Sequence, residues 1–398
     1  VPGAVNATDS AMRSAVDAAF WRGRRVLVTG HNGFKGAWLC LWLQALGARV
    51  HGVSLSTPPT TPSLYELADV EQGMASAVAC DVRDGAALAA AVNGATPEVV
   101  FHLAAQPLVR ASFAAPANTF AVNALGTAAL LDAVRGNGDP RGSETVRDAA
   151  APGDAAAVRA VVVVTSDKCY APSPDGRAHV EGDPLGGEDP YSASKACAEL
   201  VVASYRDSFF SAAAGPRVAT ARAGNVIGGG DFGAERLLPD VFRAALAGEP
   251  LLLRNPDAVR PWQHVLSPLS GYLALAQALC GPEPARFARA WNFGPSPDDA
   301  LTVREIVALV ADLWPEPLAW RADEREHPPE NPALRLDSSQ ARAELGWQPL
   351  LTLEQGLALT AEWFRGYAAD PAEMRVLTLA QVELSASATT ASERGLER

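Results

Sequence analysis

Arg24-Arg25-Val26-Leu27-Val28-Thr29-Gly30-His31-Asn32-Gly33-Phe34-Lys35-Gly36 is a short apolar run that feeds directly into glycines spaced G-x-x-G-x-x-G. An apolar helical pattern follows from Lys35 to Leu46, then Gly47 and a second strand-like run from Arg49 to Val53. A strand, a glycine turn and a helix in that order bring backbone amides at a helix N-terminus close to an anion. Glycines also occur wherever a turn packs closely, so it is the flanking strand and helix that carry the inference of a bound dinucleotide. Gly30, Asn32, Gly33, Phe34, Lys35 and Gly36 are the residues that would cradle its pyrophosphate.

Further along the chain the same grammar repeats. Ser76 to Ala79, Val99 to Leu103, Ala160 to Thr165 and Val218 to Ala221 are short, Val- and Ala-rich, and lack strict alternation. Strands buried on both faces have that composition. Separated by helical segments, they predict an α/β fold built on a doubly wound parallel sheet, the Rossmann arrangement. From about Gly224 the chain becomes rich in loops, prolines and tryptophans, which suits a smaller C-terminal substrate-binding domain. The expected divisions are an N-terminal arm (1–19), a dinucleotide-binding domain (20–223), the substrate domain (224–370) and a mobile tail (371–398). Residues 136–159, rich in Gly, Asp, Ala and Arg without periodicity, read as a solvated insertion within the first domain.

Composition excludes several function classes. Lys plus Arg number 33 against 45 Asp plus Glu, a formal net charge of -12, which argues against binding nucleic acid through phosphate neutralisation. No stretch approaches the roughly 20 apolar residues of a membrane span, and Val1 to Ala19 lacks the basic-then-apolar pattern of a secretory signal. The five cysteines, Cys40, Cys80, Cys169, Cys197 and Cys280, are scattered and form no disulfide framework. The six histidines show no paired-ligand spacing, so no metal site is expected. The expectation is a soluble, cytoplasmic protein.

Tyr191 and Lys195 are four apart in a segment that begins after Asp189-Pro190 and reads as helix through Arg206. Residues i and i+4 share a helical face, so the ammonium can sit near the phenol and favour the phenolate. That makes Tyr191 a general base for an alcohol proton. Alone, Y-x-x-x-K usually means a solvated pair; here it lies one strand-helix unit after Thr165-Ser166-Asp167-Lys168. Ligands in open parallel sheets sit beyond the carboxyl ends of the strands, so those polar side chains are aimed at the site. Ser166 can hydrogen-bond the reacting hydroxyl. Asp167 and Lys168 supply a second acid/base pair, which a simple alcohol dehydrogenase does not need; the plain alternative is a local ion pair that fixes the loop.

The second strand leads into Ser54-Leu55-Ser56, with neither the usual ribose-binding carboxylate nor an arginine immediately beside it, and this leaves NAD against NADP open. Asp81 is placed either to accept from an adenine amino group or to cap a helix. His102, Ala104 and Gln106 line the sheet edge near the cofactor, with His102 read as structural.

The chain resembles the extended short-chain dehydrogenase/reductases, and within them the branch of CDP-glucose 4,6-dehydratases. The resembling stretches are Phe20 to Gly36, FHLAAQPLVR (101–110), TSDKCY (165–170), DPYSASK (189–195), RAGNVIGGGD (222–231), RLLPD (236–240), RNPDAVRPWQHV (254–265) and WNFGP (291–295). Together they span about Phe20 to Gly366. The lysine of TSDK marks this branch, since dehydratases of dTDP-glucose and GDP-mannose carry Asp-Glu there.

What the resemblance implies is a lyase that uses NAD in an internal redox cycle on CDP-glucose. Tyr191, helped by Lys195 and Ser166, takes the C4 hydroxyl proton while the C4 hydride passes to NAD. Lys168, which must be neutral for this, removes the C5 proton, and Asp167 protonates the departing C6 hydroxyl. Return of the hydride to C6 gives CDP-4-dehydro-6-deoxyglucose. The resemblance further implies cofactor contacts at Asp81, Val82, Leu103, Ala104, Ala105, Gln106 and Asn123, beside Tyr191 and Lys195. Substrate contacts fall at Arg110, Asn225, Arg236, Leu237, Arg254, Arg260 and His264, with His264 otherwise read as structural and Asn292 as a loop brace. A homodimer or tetramer is implied through the helices at Asn118–Val134 and from Tyr191. The competing readings are a nucleotide-sugar 4-epimerase, a dehydratase of another nucleotide sugar, and a non-catalytic NAD-binding protein.

Overall fold

The computed structural model describes residues 16–138, 158–173, 175–212, 215–296, 299–323 and 334–394. Most of the expected arm and of the 136–159 insertion therefore lies outside the described residues. Seven strands form one parallel sheet: β1 (Arg25–Thr29), β2 (Arg49–Ser54), β3 (Ser76–Ala79), β4 (Val99–His102), β5 (Ala160–Val164), β6 (Arg217–Arg222) and β7 (Ala290–Asn292). Their spatial order is β7-β6-β5-β4-β1-β2-β3. Chain direction across the sheet reverses between β1 and β4, which pair directly. That switch point opens a crevice beyond the carboxyl ends of the two strands.

Successive residues of the central strands feed opposite cores. Val26, Val28, Val99, Phe101, Ala160, Val162 and Val164 pack on one side of the sheet. Leu27, Val100, Val161 and Val163 pack on the other. On the first side lie helices α1 (Phe34–Ala45) and α6 (Leu266–Leu279); on the second lie α2 (Gly85–Ala95), α3 (Gly126–Gly138) and α4 (Pro190–Phe209). Each large apolar side chain so buried contributes roughly 1.5–3 kcal/mol. The strand at the β3 edge departs from expectation. Ala77, Val78 and Ala79 are exposed, because among the described residues β3 has a neighbour on one side only and its faces are left uncovered.

The division at Gly224 is not a clean cut. After β6 the chain builds α5 (Leu237–Ala247) and three small two-stranded pairings outside the main sheet. It also returns α6 and β7 to the first layer, with β7 pairing parallel to β6. Beyond Asp370 the chain continues as helix. Met374–Arg394 forms a helix, α8, whose first half packs against α7 (Leu353–Ala369), while residues 395–398 of the expected mobile tail lie outside the described residues. Met374, Thr378, Gln381 and Val382 are buried, and Arg375 donates to the carbonyls of Ala68 and Asp69. No helix among the described residues is long and apolar enough to cross a membrane.

Candidate active site

A cleft of about 1230 Å³ runs along the carboxyl edge of the sheet and is roofed by residues after Gly224. Its floor begins at the glycine turn. Gly30 N–H donates to the Val53 carbonyl at 2.7 Å, and Gly33 N–H turns back to the Gly30 carbonyl at 3.1 Å. A Cβ on Gly36 would lie 2.1 Å from that carbonyl oxygen, so only glycine lets α1 start so close to β1. The first amides of α1 have no intrahelical acceptors and carry the positive end of the helix dipole. Gly30, Asn32, Gly33, Phe34, Lys35 and Gly36 all line the cleft, as do Leu103, Ala104, Ala105 and Gln106 after β4.

At the far end, Asn32 Nδ2 donates to the Leu55 carbonyl at 2.8 Å, closing the turn over the tip of β2. Asp81 and Val82 line the cleft. The cap of α2 is Asp84, so Asp81 is not the helix cap. Its carboxylate is held by the Arg83 guanidinium, which also lowers its pKa, and Arg83 reaches Asn118 at 2.7 Å.

The reactive groups meet at the middle of the cleft. Ser166 Oγ donates to Asp167 Oδ1 at 2.8 Å and accepts from the Lys168 amide at 3.2 Å. Asp167 rests directly on Gly224, where a Cβ would stand 1.8 Å from Oδ2, so the position of this carboxylate depends on a bare Cα. Asp189 caps α4, accepting from the Ser192 amide at 2.9 Å, and Pro190 occupies the first turn. Tyr191 in that turn and Lys195 one turn on are thereby fixed on the face toward β5, where Lys195 Nζ donates to the Val164 carbonyl at 3.2 Å.

Burial governs the titration here. It raises Tyr191 to about 12, against a lowering by the Ser166 hydroxyl. The lowering of Tyr191 by Lys195 foreseen from their spacing is therefore not what prevails. Burial also brings Lys195 down to about 8, with Glu199 opposing, and Lys35 down to about 8, with Arg236 and Lys195 adding repulsion. Lys35, Lys168 and Lys195 are the only lysines in the 398-residue sequence, and all three line this cleft. The other 30 of the 33 Lys plus Arg residues are arginines, which cannot give up their proton.

On the roof side, Arg110 pairs with Glu235 at 2.9 Å and Arg236 with Asp231 at 3.0 Å. Arg254 donates to the Glu235 carbonyl and Arg260 to that of Val259. These four arginines line the cleft together with Leu237 and Asn225, the latter in a left-handed backbone conformation. Two expected contacts do not reach it. His264 is buried beneath α7 against Trp38, and burial drives its pKa down to about 3. Asn123 sits in a wider, π-type turn at Ala121–Leu125 and spends its amide on Gln106 and on Ser194 at 2.8 Å. It braces the Gln106 loop from behind. Asn292 accepts from Tyr170 and donates to the His179 carbonyl, as a loop brace would.

Sequence reading missed the acidic partners Asp231 and Glu235, Ser112, which accepts from the Tyr191 amide, and the buried Glu199. Glu199 was within reach, since it follows Lys195 by four residues on the same helical face.

A doubly wound sheet with a glycine turn at its switch point, and a Ser, Tyr and Lys set beside it, defines a dinucleotide-dependent sugar- or alcohol-modifying scaffold. Residues 26–287 match the NAD dependent epimerase/dehydratase family, and the chain belongs to it. A CDP-glucose 4,6-dehydratase of Salmonella typhimurium is 44% identical over 360 residues, covering 88% of this chain and 93% of the relative. A dTDP-glucose 4,6-dehydratase of Xanthomonas campestris pv. campestris is 30% identical, covering 85% and 92%. Among solved structures, a Thermus thermophilus UDP-glucose 4-epimerase complex with NAD superimposes with a TM-score of 0.68 at 26% identity, covering 86% and 99%.

Proposed function

We propose that the protein is an NAD-dependent lyase that converts CDP-glucose to CDP-4-dehydro-6-deoxyglucose. The observation that carries this is the presence of Asp167 and Lys168 in the same cleft as Ser166, Tyr191 and Lys195. Transfer of a hydride, or inversion at C4, needs the last three; removal of water needs an added acid and base. The 44% identical relative supports the CDP-sugar over other nucleotides.

The glycine turn, the exposed amides of α1 and the loop after β4 fit the dinucleotide, with Asp81 on the adenosine side. When bound there, NAD would supply the acceptor for the C4 hydride and the donor for its return to C6. Tyr191 takes the C4 hydroxyl proton, with Ser166 hydrogen-bonding that oxygen and the Lys195 ammonium favouring the phenolate. Lys168 takes the C5 proton and returns it to C5 as C6 is reduced, and Asp167, fixed against Gly224, gives its proton to the C6 oxygen that leaves as water. Arg236, Arg254 and Arg260, with Asn225 and Leu237, hold the nucleotide diphosphate, and Arg110 serves the sugar side. Exposed Leu125 and Leu200, on neighbouring helices, support a homodimer, and five unpaired cysteines suit the cytoplasm.

Purified protein incubated with NAD and CDP-glucose should give a nucleotide sugar lighter by one water in the mass spectrum, with no accumulation of NADH. Dehydration of dTDP-, UDP- or GDP-glucose instead would move the base. Unchanged mass with inversion at C4 by NMR would make the protein an epimerase and end the roles given to Asp167 and Lys168.

A further inference from the structure

Glu199 is a buried carboxylate that the reaction does not use and that does not line the cleft. It lies on α4 one turn beyond Lys195 and two beyond Tyr191, so the three share a face. Its two oxygens accept four hydrogen bonds, three from β6 and one from the residue that follows β5. Oε1 takes Thr165 Oγ1 at 2.5 Å and Arg222 Nε at 2.9 Å; Oε2 takes Thr220 Oγ1 at 2.7 Å and Arg222 Nη2 at 2.8 Å. Thr165 immediately precedes Ser166 and Asp167, and Arg222 stands two residues before Gly224, on which Asp167 rests. Arg222 continues the network to the Tyr170 hydroxyl at 2.6 Å, and that hydroxyl donates to Asn292 on β7. The convergence of these bonds on one acid behind the catalytic lysine places a negative charge where a cation has to be kept.

We propose that Glu199 is a positioning residue for the reaction: it clamps the Tyr191/Lys195 helix to the strand end bearing Ser166 and Asp167, and supplies the buried charge that keeps Lys195 an ammonium. This rests on the function proposed above only in giving Lys195 a part in turnover. The groups that bear on Lys195 are Glu199 on its own helix, Cys169 after β5, Lys35 on α1 and neutral His102 on β4. Of these, Glu199 is the first to oppose the effect of burial on Lys195. Arg222 is engaged by Glu199 through both carboxylate oxygens and offsets part of its charge.

The test uses Glu199→Gln, and Glu199→Gln with Arg222→Met so that no guanidinium is stranded without its partner. Because only three lysines occur in the sequence, protein grown on ¹³Cε-lysine gives three side-chain signals, and Lys195→Arg assigns one. The Lys195 midpoint should fall by about one unit or more in Glu199→Gln, and less but in the same direction in the double variant, as expected for loss of an adjacent opposite charge. In turnover, kcat should fall about ten- to a hundred-fold at pH 8 and less at pH 6, with KM for CDP-glucose within about twofold. A folded variant whose Lys195 midpoint does not move would overturn the proposal. So would an activity loss equal at every pH and restored in the double variant, since that is the mark of a purely structural ion pair. If the wild-type protein fails to dehydrate CDP-glucose, the proposed function falls, while the Lys195 titration still decides the role of Glu199.

Discussion

Lys35 is an amine placed where a charge is costly. Burial and the neighbouring Arg236 and Lys195 bring it to about 8, from an ordinary value of 10.5. Between those two values the unfolded chain binds more protons than the folded one, so this group makes stability rise with pH across that window and costs stability below it. Lys35→Met should therefore stabilise the unliganded protein by about 1–2 kcal/mol at pH 7, with solvent at the cleft mouth sharing part of the charge. The gain should fade between pH 8 and 10.5 when melting is followed across that range. An equal gain at all pH would assign it to apolar contact instead. NAD binding should weaken in the same variant. At this scale the sequence was most legible where spacing alone carries geometry: Tyr191 and Lys195 by one helical turn, Ser166 to Lys168 by the end of a strand. It was least legible where a side chain's direction depends on a neighbouring element. His264 lies in a stretch that resembles a substrate loop, yet α7 and Trp38 bury it. Asn123 is turned inward by a π-type turn that leaves no mark in residue order.

The elements followed the apolar pattern wherever burial came from apolar side chains. The strands β1, β4, β5 and β6 are read correctly because both their faces are covered by helices. The helix α8 was missed for the converse reason. Its inward residues, Met374, Thr378, Gln381 and Val382, recur with helical spacing, but two of them are polar, so no apolar stripe is visible. Hydrogen bonds take the place of that stripe: Trp363 Nε1 to Thr378 Oγ1 at 2.9 Å, and Gln381 Nε2 to the Leu359 carbonyl at 2.9 Å. Thr378→Val keeps the shape but leaves a buried indole N–H without an acceptor, at a cost of about 1–3 kcal/mol. Its melting temperature should drop by about 2–5 °C, with affinity for NAD unchanged. A drop in affinity as well would mean that α8 supports the cleft through α1.

At the scale of the whole molecule, the two expected domains are interleaved rather than consecutive. The segment that roofs the cleft also returns β7 and α6 to the sheet, so floor and roof are tied together at both ends. Composition could not show this, because loops rich in proline and tryptophan say nothing about where the chain goes between them. The outer face of the helices carries Leu125, 65% exposed, and Leu200, 58% exposed. In light scattering the protein should have about twice the mass of a single chain, and Leu125→Glu with Leu200→Glu should halve it. A wild-type monomer would show that these leucines are ordinary surface residues.

The confinement of lysine to the cleft reaches beyond catalysis. On most proteins, reagents that seek primary amines scatter over the surface and report little. Here, apart from the α-amino group, the side-chain amines available to them stand where the dinucleotide and nucleotide sugar are proposed to lie. Coupling to a resin through lysine would plug the protein rather than tether it. A mild acylating dye would become a gauge of occupancy, its uptake falling as ligand fills the cleft.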